Sequence, residues 1–196
     1  MDIDPKSRTP EETYKLITGM IVPRPVAWIT SLSSNGAVNL APFSAYGLVT
    51  HSPPMLMVSI GKRDSERKDT GKNIVSRREF VVNVARFEDA ETVQASSAEF
   101  AYGESEVERL GLETVESAVV SVPRLAIAVA AMECRLRDKL EYSDVDSIIL
   151  LAEVARFYIR DDLIREGKIN TGELDPLARV AGPNYARLGR FVSMVG

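Results

Sequence analysis

The sequence predicts a mainly β fold, an antiparallel β-barrel that is closed or partly closed and carries short helices. Three observations predict it. Short apolar runs rich in Val and Ile recur along the chain, turn-forming residues bound them, and two Ala- and Glu-rich helical insertions interrupt the series near its middle. About seven strands joined by short turns leave exposed sheet edges unless the sheet closes on itself, and closure removes them.

The elements follow in order. Thr9 to Ile17 (TPEETYKLI) is a helix by its start signals: Thr9 as N-cap, Pro10 at the first helical position and Glu12 three residues after the cap. Val26 to Ser31 and Ala37 to Pro42 flank Ser33-Ser34-Asn35-Gly36, where Asn-Gly supplies the positive φ angles of a type I′ hairpin turn. Met55 to Ile60 and Glu79 to Val84 are short apolar runs bounded by polar or turn residues, the pattern of largely buried strands. Between them lies ERKDTGKNI (Glu66 to Ile74), with Asp69 as the N-cap of a short helix. Helical pieces are expected at Asp89 to Ala98 and Glu104 to Leu110. Two long strands, Leu125 to Tyr142 and Ser147 to Ile159, are joined by a turn at Ser143-Asp144-Val145-Asp146. The tail is punctuated by Pro176, Gly182, Pro183 and Gly189 and reads as an ordered excursion rather than a strand.

The 196 residues fit one domain spanning 1–196, with a core that buries roughly 70% of the unfolded surface. A net charge of -4 provides no general field for nucleic acid or an anionic membrane, so any anion site must be local. The single cysteine, Cys134, excludes an internal disulfide and the cysteine pairs of structural zinc sites. The N-terminus lacks the apolar core of a signal peptide, and no run approaches the roughly 18 apolar residues of a membrane span. A cytoplasmic protein is expected.

Common catalytic signatures are missing. No G-x-G pair, P-loop, H-E-x-x-H or G-x-S-x-G occurs, and the one histidine, His51, precedes Ser52-Pro53-Pro54 and reads as a turn residue. No metal site is expected, and an enzyme built this way would take its chemistry from an organic cofactor. In ERKDTGKNI, Lys68, the Thr70 hydroxyl and the amides after Asp69 form a set that suits a phosphate at a helix N-terminus. Gly71 removes a side chain that would hinder close approach. A capped surface helix explains the same residues almost as well.

The ordered stretches PRPVAWITSLSSNGAVNLAPFSAYGLV, PPMLMVSIG, RKDTGKNI, EFVVNV and LARVAGPNYARL cover most of the chain. In that order and spacing they resemble the flavin reductase-like, FMN-binding split-barrel family, which includes flavoredoxins. The resemblance implies a split β-barrel homodimer with FMN at the subunit interface. It implies that Lys68, Asp69 and Thr70 hold the flavin phosphate, with Arg24 as a further cation. Asn39, Leu40, Ala41, Pro42, Phe43 and Ser44 would follow the isoalloxazine ring. A segment containing Pro42 cannot pair fully in a sheet and leaves backbone groups for the ring's polar edge. Thr30 and Ser31 would lie near the ribityl chain or phosphate. Tyr185 either closes over the flavin or anchors the tail. Trp28 reads as core more readily than as a flavin neighbour, and Asn73 either stabilises its helix or touches the ligand.

The implied activity is hydride transfer from NADH or NADPH to flavin, an NAD(P)H-dependent flavin reductase passing electrons to a small-molecule or protein acceptor. No catalytic side chain is required for that step. The alternative is a flavoredoxin-like FMN electron carrier without a nicotinamide site.

Overall fold

In a computed structural model describing residues 1–63, 66–142 and 144–194, one antiparallel sheet organises the chain. Its strands are β1 (Ala27–Leu32), β2 (Val38–Phe43), β3 (Tyr46–His51), β4 (Pro54–Arg63), β5 (Glu66–Arg67), β6 (Glu79–Val84), β7 (Ala130–Glu141) and β8 (Ser147–Ile159). The spatial order is β2-β1-β6-β7-β8-β4-β3, with β5 paired to β4.

That order requires a strong curl. Laid flat, seven strands at about 4.8 Å spacing would separate β2 from β3 by roughly 29 Å. Only Ser44 and Ala45 join the two, and three Cα steps reach about 11 Å at most. The packing agrees: one buried cluster takes Ile29 from β1, Phe43 from β2, Val58 from β4, Phe80 from β6, Leu136 from β7 and Leu150 from β8. Among the described residues no ladder joins β2 to β3, so of the closed or partly closed barrel expected the curled sheet shows no full closure and stays open there. Ser59 N–H bonds to the Ala45 carbonyl at 2.8 Å, which extends the β3–β4 pairing into the link that follows β2.

Strand β1 is buried on both faces, and its alternation divides the interior. Ala27 and Ile29 enter the cluster inside the curl, whereas Trp28, with Val26 and Leu40, packs in a second cluster that Val93 and Val107 cover from outside. The short helices α3 (Ala90–Ala95) and α4 (Glu106–Arg109) cover that outer face, whereas α2 (Asp69–Arg77) turns Ile74 into the inner cluster. The N-terminal helix α1 (Pro10–Met20) has the expected capping box, with Glu12 N–H to Thr9 Oγ1 at 3.2 Å and Thr9 N–H to Glu12 Oε2 at 2.9 Å. None of its residues is buried.

Several expectations are corrected. Asn35 does not take positive φ; only Gly36 does, at +88°, and Gly36 N–H bonds to the Ser33 carbonyl. The hairpin is therefore a longer loop whose single left-handed position is glycine, not a type I′ turn. The piece expected over 89–98 is helical only from Ala90 to Ala95, because the Ser96 and Ser97 hydroxyls donate back to the Val93 and Gln94 carbonyls and end it. Ser105 caps the next helix through Glu108 N–H, which delays its start to Glu106. The strand expected from Leu125 begins at Ala130, after a turn closed by Ala128 N–H to the Leu125 carbonyl. In the tail, Ala178–Arg179 and Tyr185–Ala186 form a small sheet with Arg24–Pro25, so part of the excursion is strand. Tyr142 and Val145 bond across the expected β7–β8 turn, of which Ser143 lies outside the described residues. No helix among the described residues is long and apolar enough to cross a membrane.

Candidate functional site

A cleft of about 470 Å³ opens between β2, the start of α2 and the segment leading from α3 to α4. Strand β2 is an edge strand, so one side of its backbone is free of the ladder. Leu40 N–H and the Val38 carbonyl both point to that side, where they meet Glu106 Oε2 at 2.8 Å and the Ser105 hydroxyl at 2.7 Å. Pro42, two residues on, thus directs its missing N–H to the open edge, the one place where a strand tolerates proline without losing a bond. Pro42 still pairs with Trp28 on the other side. The segment is fully paired on its inner edge, and the free groups arise because β2 is the last strand, not because proline disrupts it.

Helix α2 faces the same cleft with its N-terminus. Its N-cap is Lys68, not Asp69, and no side chain caps it, so the first-turn amides lack a capping acceptor. Asp69 instead occupies the first turn, where a carboxylate complements the helix dipole, 3.9 Å from Lys72 Nζ. Gly71 has a different role from the one expected. A Cβ there would meet Ile60 and Ile148 at 3.7 and 3.9 Å, so the glycine faces the core and not the cleft.

A buried polar chain ties the walls together. Thr70 Oγ1 donates to Asn39 Oδ1 at 3.3 Å, and Asn39 Nδ2 donates to Glu106 Oε2 at 3.2 Å. Burial pushes the Glu106 carboxyl above its ordinary pKa, opposed by the bonds from Leu40 and Asn39 and assisted by the charge of Asp69. A second chain runs from Ser31 through Asn73, whose amide donates at 3.2 Å, to Tyr102, whose hydroxyl donates to Asn73 Oδ1 at 3.3 Å. The cations are already engaged: Arg67 binds Glu141 through two bonds, at 3.2 and 2.6 Å, and Lys72 meets Glu66 at 3.1 Å. Arg67 in turn holds the exposed Glu141 carboxyl below its usual range.

A smaller cleft of about 200 Å³ adjoins the first and shares Pro42, Phe43 and Ser97 with it. Tyr14, Gln94, Arg179 and Tyr185 complete most of its wall. Arg179 lies over the Tyr185 ring, 4.6 Å from its centre, and Gln94 Oε1 accepts from both the Tyr185 hydroxyl and Arg179.

Of the residues expected at the site, Asn39, Ala41, Pro42, Phe43, Lys68, Asp69 and Thr70 line the larger cleft, and Ser44 and Tyr185 line the smaller. Four lie elsewhere. Arg24 donates to the carbonyls of Thr18 and Ile21 and fastens the end of α1. Thr30 is fully buried and donates to the Pro123 carbonyl at 2.7 Å. Ser31 is buried behind Asn73, and the Leu40 side chain sits in the core. Trp28 is core, with Nε1–H on the Ser96 hydroxyl at 2.9 Å. His51 is exposed at the end of β3.

Sequence reasoning missed Glu106, Tyr102, Phe100 and Ser96. Ser105 was a readable N-cap signal, three residues before Glu108, but nothing local indicates that Glu106 turns inward.

Solved structures resemble this one closely. Nitrilotriacetate monooxygenase component B from Bacillus cereus superposes with a TM-score of 0.95 at 36% identity, over 99% of this chain and 98% of that one. The 2-nitrobenzoate 2-nitroreductase NbaA of Pseudomonas fluorescens does so with a TM-score of 0.91 at 33% identity, over 100% and 96%. The uncharacterized protein YwrF of Bacillus subtilis (strain 168) is 38% identical over 191 residues, covering 94% of this chain and 93% of that protein. The family described as flavin reductase like domain matches residues 19–177, and the chain belongs to that family.

Proposed function

We propose that the larger cleft binds FMN and that the protein is an NAD(P)H-dependent FMN oxidoreductase, in its simplest form a flavin reductase. The observation that carries this reading is the convergence of two unlike features on one cavity: the uncapped N-terminus of α2 and the open backbone edge of β2. The first suits a phosphate, since free amides and the helix dipole favour an anion there. The second suits the polar rim of a planar ring.

The residues fit the cofactor. The amides that open α2, with Lys68 and Thr70, would hold the phosphate, Thr70 turning its hydroxyl from Asn39 to do so. Asn39 to Phe43 would lie along the ring. The chemistry a bound FMN supplies is acceptance of hydride from a reduced nicotinamide and onward transfer of electrons. The chain's own task is positioning, and Glu106, itself in the cleft wall, supports it by accepting from Asn39 and from Leu40 N–H on the edge of β2. FMN has about 31 non-hydrogen atoms, and roughly 0.3 kcal/mol per atom gives an affinity of about -9 kcal/mol, a sub-micromolar Kd.

The curled sheet left open between β2 and β3 supports reading the fold as a split barrel. Apolar residues of and after α1, among them Leu16, Ile17, Met20 and Ile21, are exposed in the single chain, which supports a homodimer that covers them. The test is the visible spectrum of the protein with FMN, followed by NADH and NADPH in turn. Bleaching by one nicotinamide supports the reductase and identifies its donor. A yellow protein indifferent to both would replace it with an electron carrier, and failure to take up FMN would overturn the reading.

A further inference from the structure

The smaller cleft has the composition of a binding site in its own right, and we infer that it takes a single-ring aromatic carboxylate. Arg179 is the one charged residue in its wall, and no carboxylate lines it. Among the described residues Arg179 makes no ion pair, and its guanidinium uses two of its five N–H donors, on Gln94 Oε1 at 3.5 Å and the Gly182 carbonyl at 2.8 Å. The remaining donors, in a planar fork, match the two oxygens of a carboxylate.

The fork is held in place. Its central carbon lies over the Tyr185 ring, 4.6 Å from the ring centre, Tyr185 and Arg179 are partners in the same short ladder, and Gln94 Oε1 accepts from both. Gln94 is itself fixed by donating to the Ser97 hydroxyl at 3.0 Å. Rings supply much of the rest of the wall: the buried Phe43, the exposed Tyr14 and Tyr185. Aromatic walls favour a flat ring through offset and edge contacts. At about 200 Å³ the cleft lies below the roughly 300–1,000 Å³ of sites for drug-sized ligands, so it accommodates one ring and not a dinucleotide. Because Pro42, Phe43 and Ser97 are common to both clefts, an occupant here lies directly beside the larger one.

The experiment is isothermal titration calorimetry of the full chain with benzoate, benzamide and cyclohexanecarboxylate at constant ionic strength, with and without FMN. Benzoate binds saturably in both conditions, and each analogue, lacking either the charge or the flat ring, binds at least tenfold more weakly. Arg179→Gln weakens benzoate at least tenfold while leaving FMN fluorescence quenching unchanged, and Arg179→Lys, which keeps the charge but loses the fork, falls between. Absence of benzoate binding, equal binding of the three compounds, or an unchanged benzoate affinity in a folded Arg179→Gln variant would overturn the inference. The FMN titration is read separately, so its failure would remove the flavin reading and not this one.

Discussion

In the larger cleft Glu66, Asp69 and Glu106 stand with Arg67, Lys68 and Lys72, whereas the smaller holds Arg179 and no carboxylate. The two share a wall but offer an anion different partners. Arg67 and Lys72 are occupied by Glu141 and Glu66, so in the proposed site a phosphate would rely mainly on backbone amides at the start of α2, with Lys68 and Thr70 beside them. In the smaller cleft a side-chain fork without a counter-ion carries the charge. A cluster of basic residues in sequence is thus a poor guide to where unbalanced positive charge lies, and a lone arginine in a tail can be the better one.

The largest expected effect tests the shared wall. Phe43 is only 8% exposed and lines both clefts, so Phe43→Ala lowers stability by about 3–5 kcal/mol and weakens both FMN and benzoate. A chemical denaturation series with the two titrations checks it, and loss of only one ligand would break the shared-wall account.

Next comes a pair of threonines. Thr70→Val removes a hydroxyl from the proposed phosphate site, and hydrogen bonds to charged groups contribute about 1.5–3 kcal/mol, so FMN affinity falls at least tenfold with benzoate unaffected. Thr30→Val strips the Pro123 carbonyl of its buried donor and lowers stability by about 1–3 kcal/mol while FMN affinity is unchanged. Fluorescence titrations and thermal melts of both variants separate the two roles.

Glu106→Gln isolates the carboxylate of the larger cleft. Burial raises the folded-state pKa of Glu106, so the folded chain holds this proton more tightly than the unfolded chain does. Stability therefore falls as pH rises from the ordinary carboxylate value, roughly 4.3, through the raised one, and the full cost is present above both. The glutamine variant keeps an acceptor for Leu40 N–H and flattens that dependence, as melts across this range will report. A decline identical to the wild type would assign it to other groups, Asp89 among them, whose carboxyl burial also raises.

The smallest effect belongs to Gly71→Ala. The added Cβ makes ordinary contacts with Ile60 and Ile148 and improves helix propensity by up to about 1 kcal/mol, leaving FMN affinity as it was. A tenfold loss of FMN would return Gly71 to the cleft.

Much of the sheet was legible because its strands alternate with turn residues: Glu79–Val84 and Ser147–Ile159 are found at their expected bounds. The helix starting at Thr9 was equally plain, since a capping box is a local signal. The larger cleft was legible where it is built from contiguous stretches, Asn39 to Phe43 and Lys68 to Thr70. What stayed hidden depends on contacts far apart in sequence. Glu106 reaches Leu40 across 66 residues, and Thr30 turns to Pro123 across 93. Arg179 acquires its setting only when the tail pairs with Arg24 and Pro25 and brings it to Gln94.

The most direct test of the central claim is a crystal structure of the protein with FMN. The phosphate is expected at the N-terminus of α2, bonded to first-turn amides beside Thr70, with the ring along Asn39 to Phe43. Flavin bound at a different surface, or with its phosphate away from α2, would contradict it.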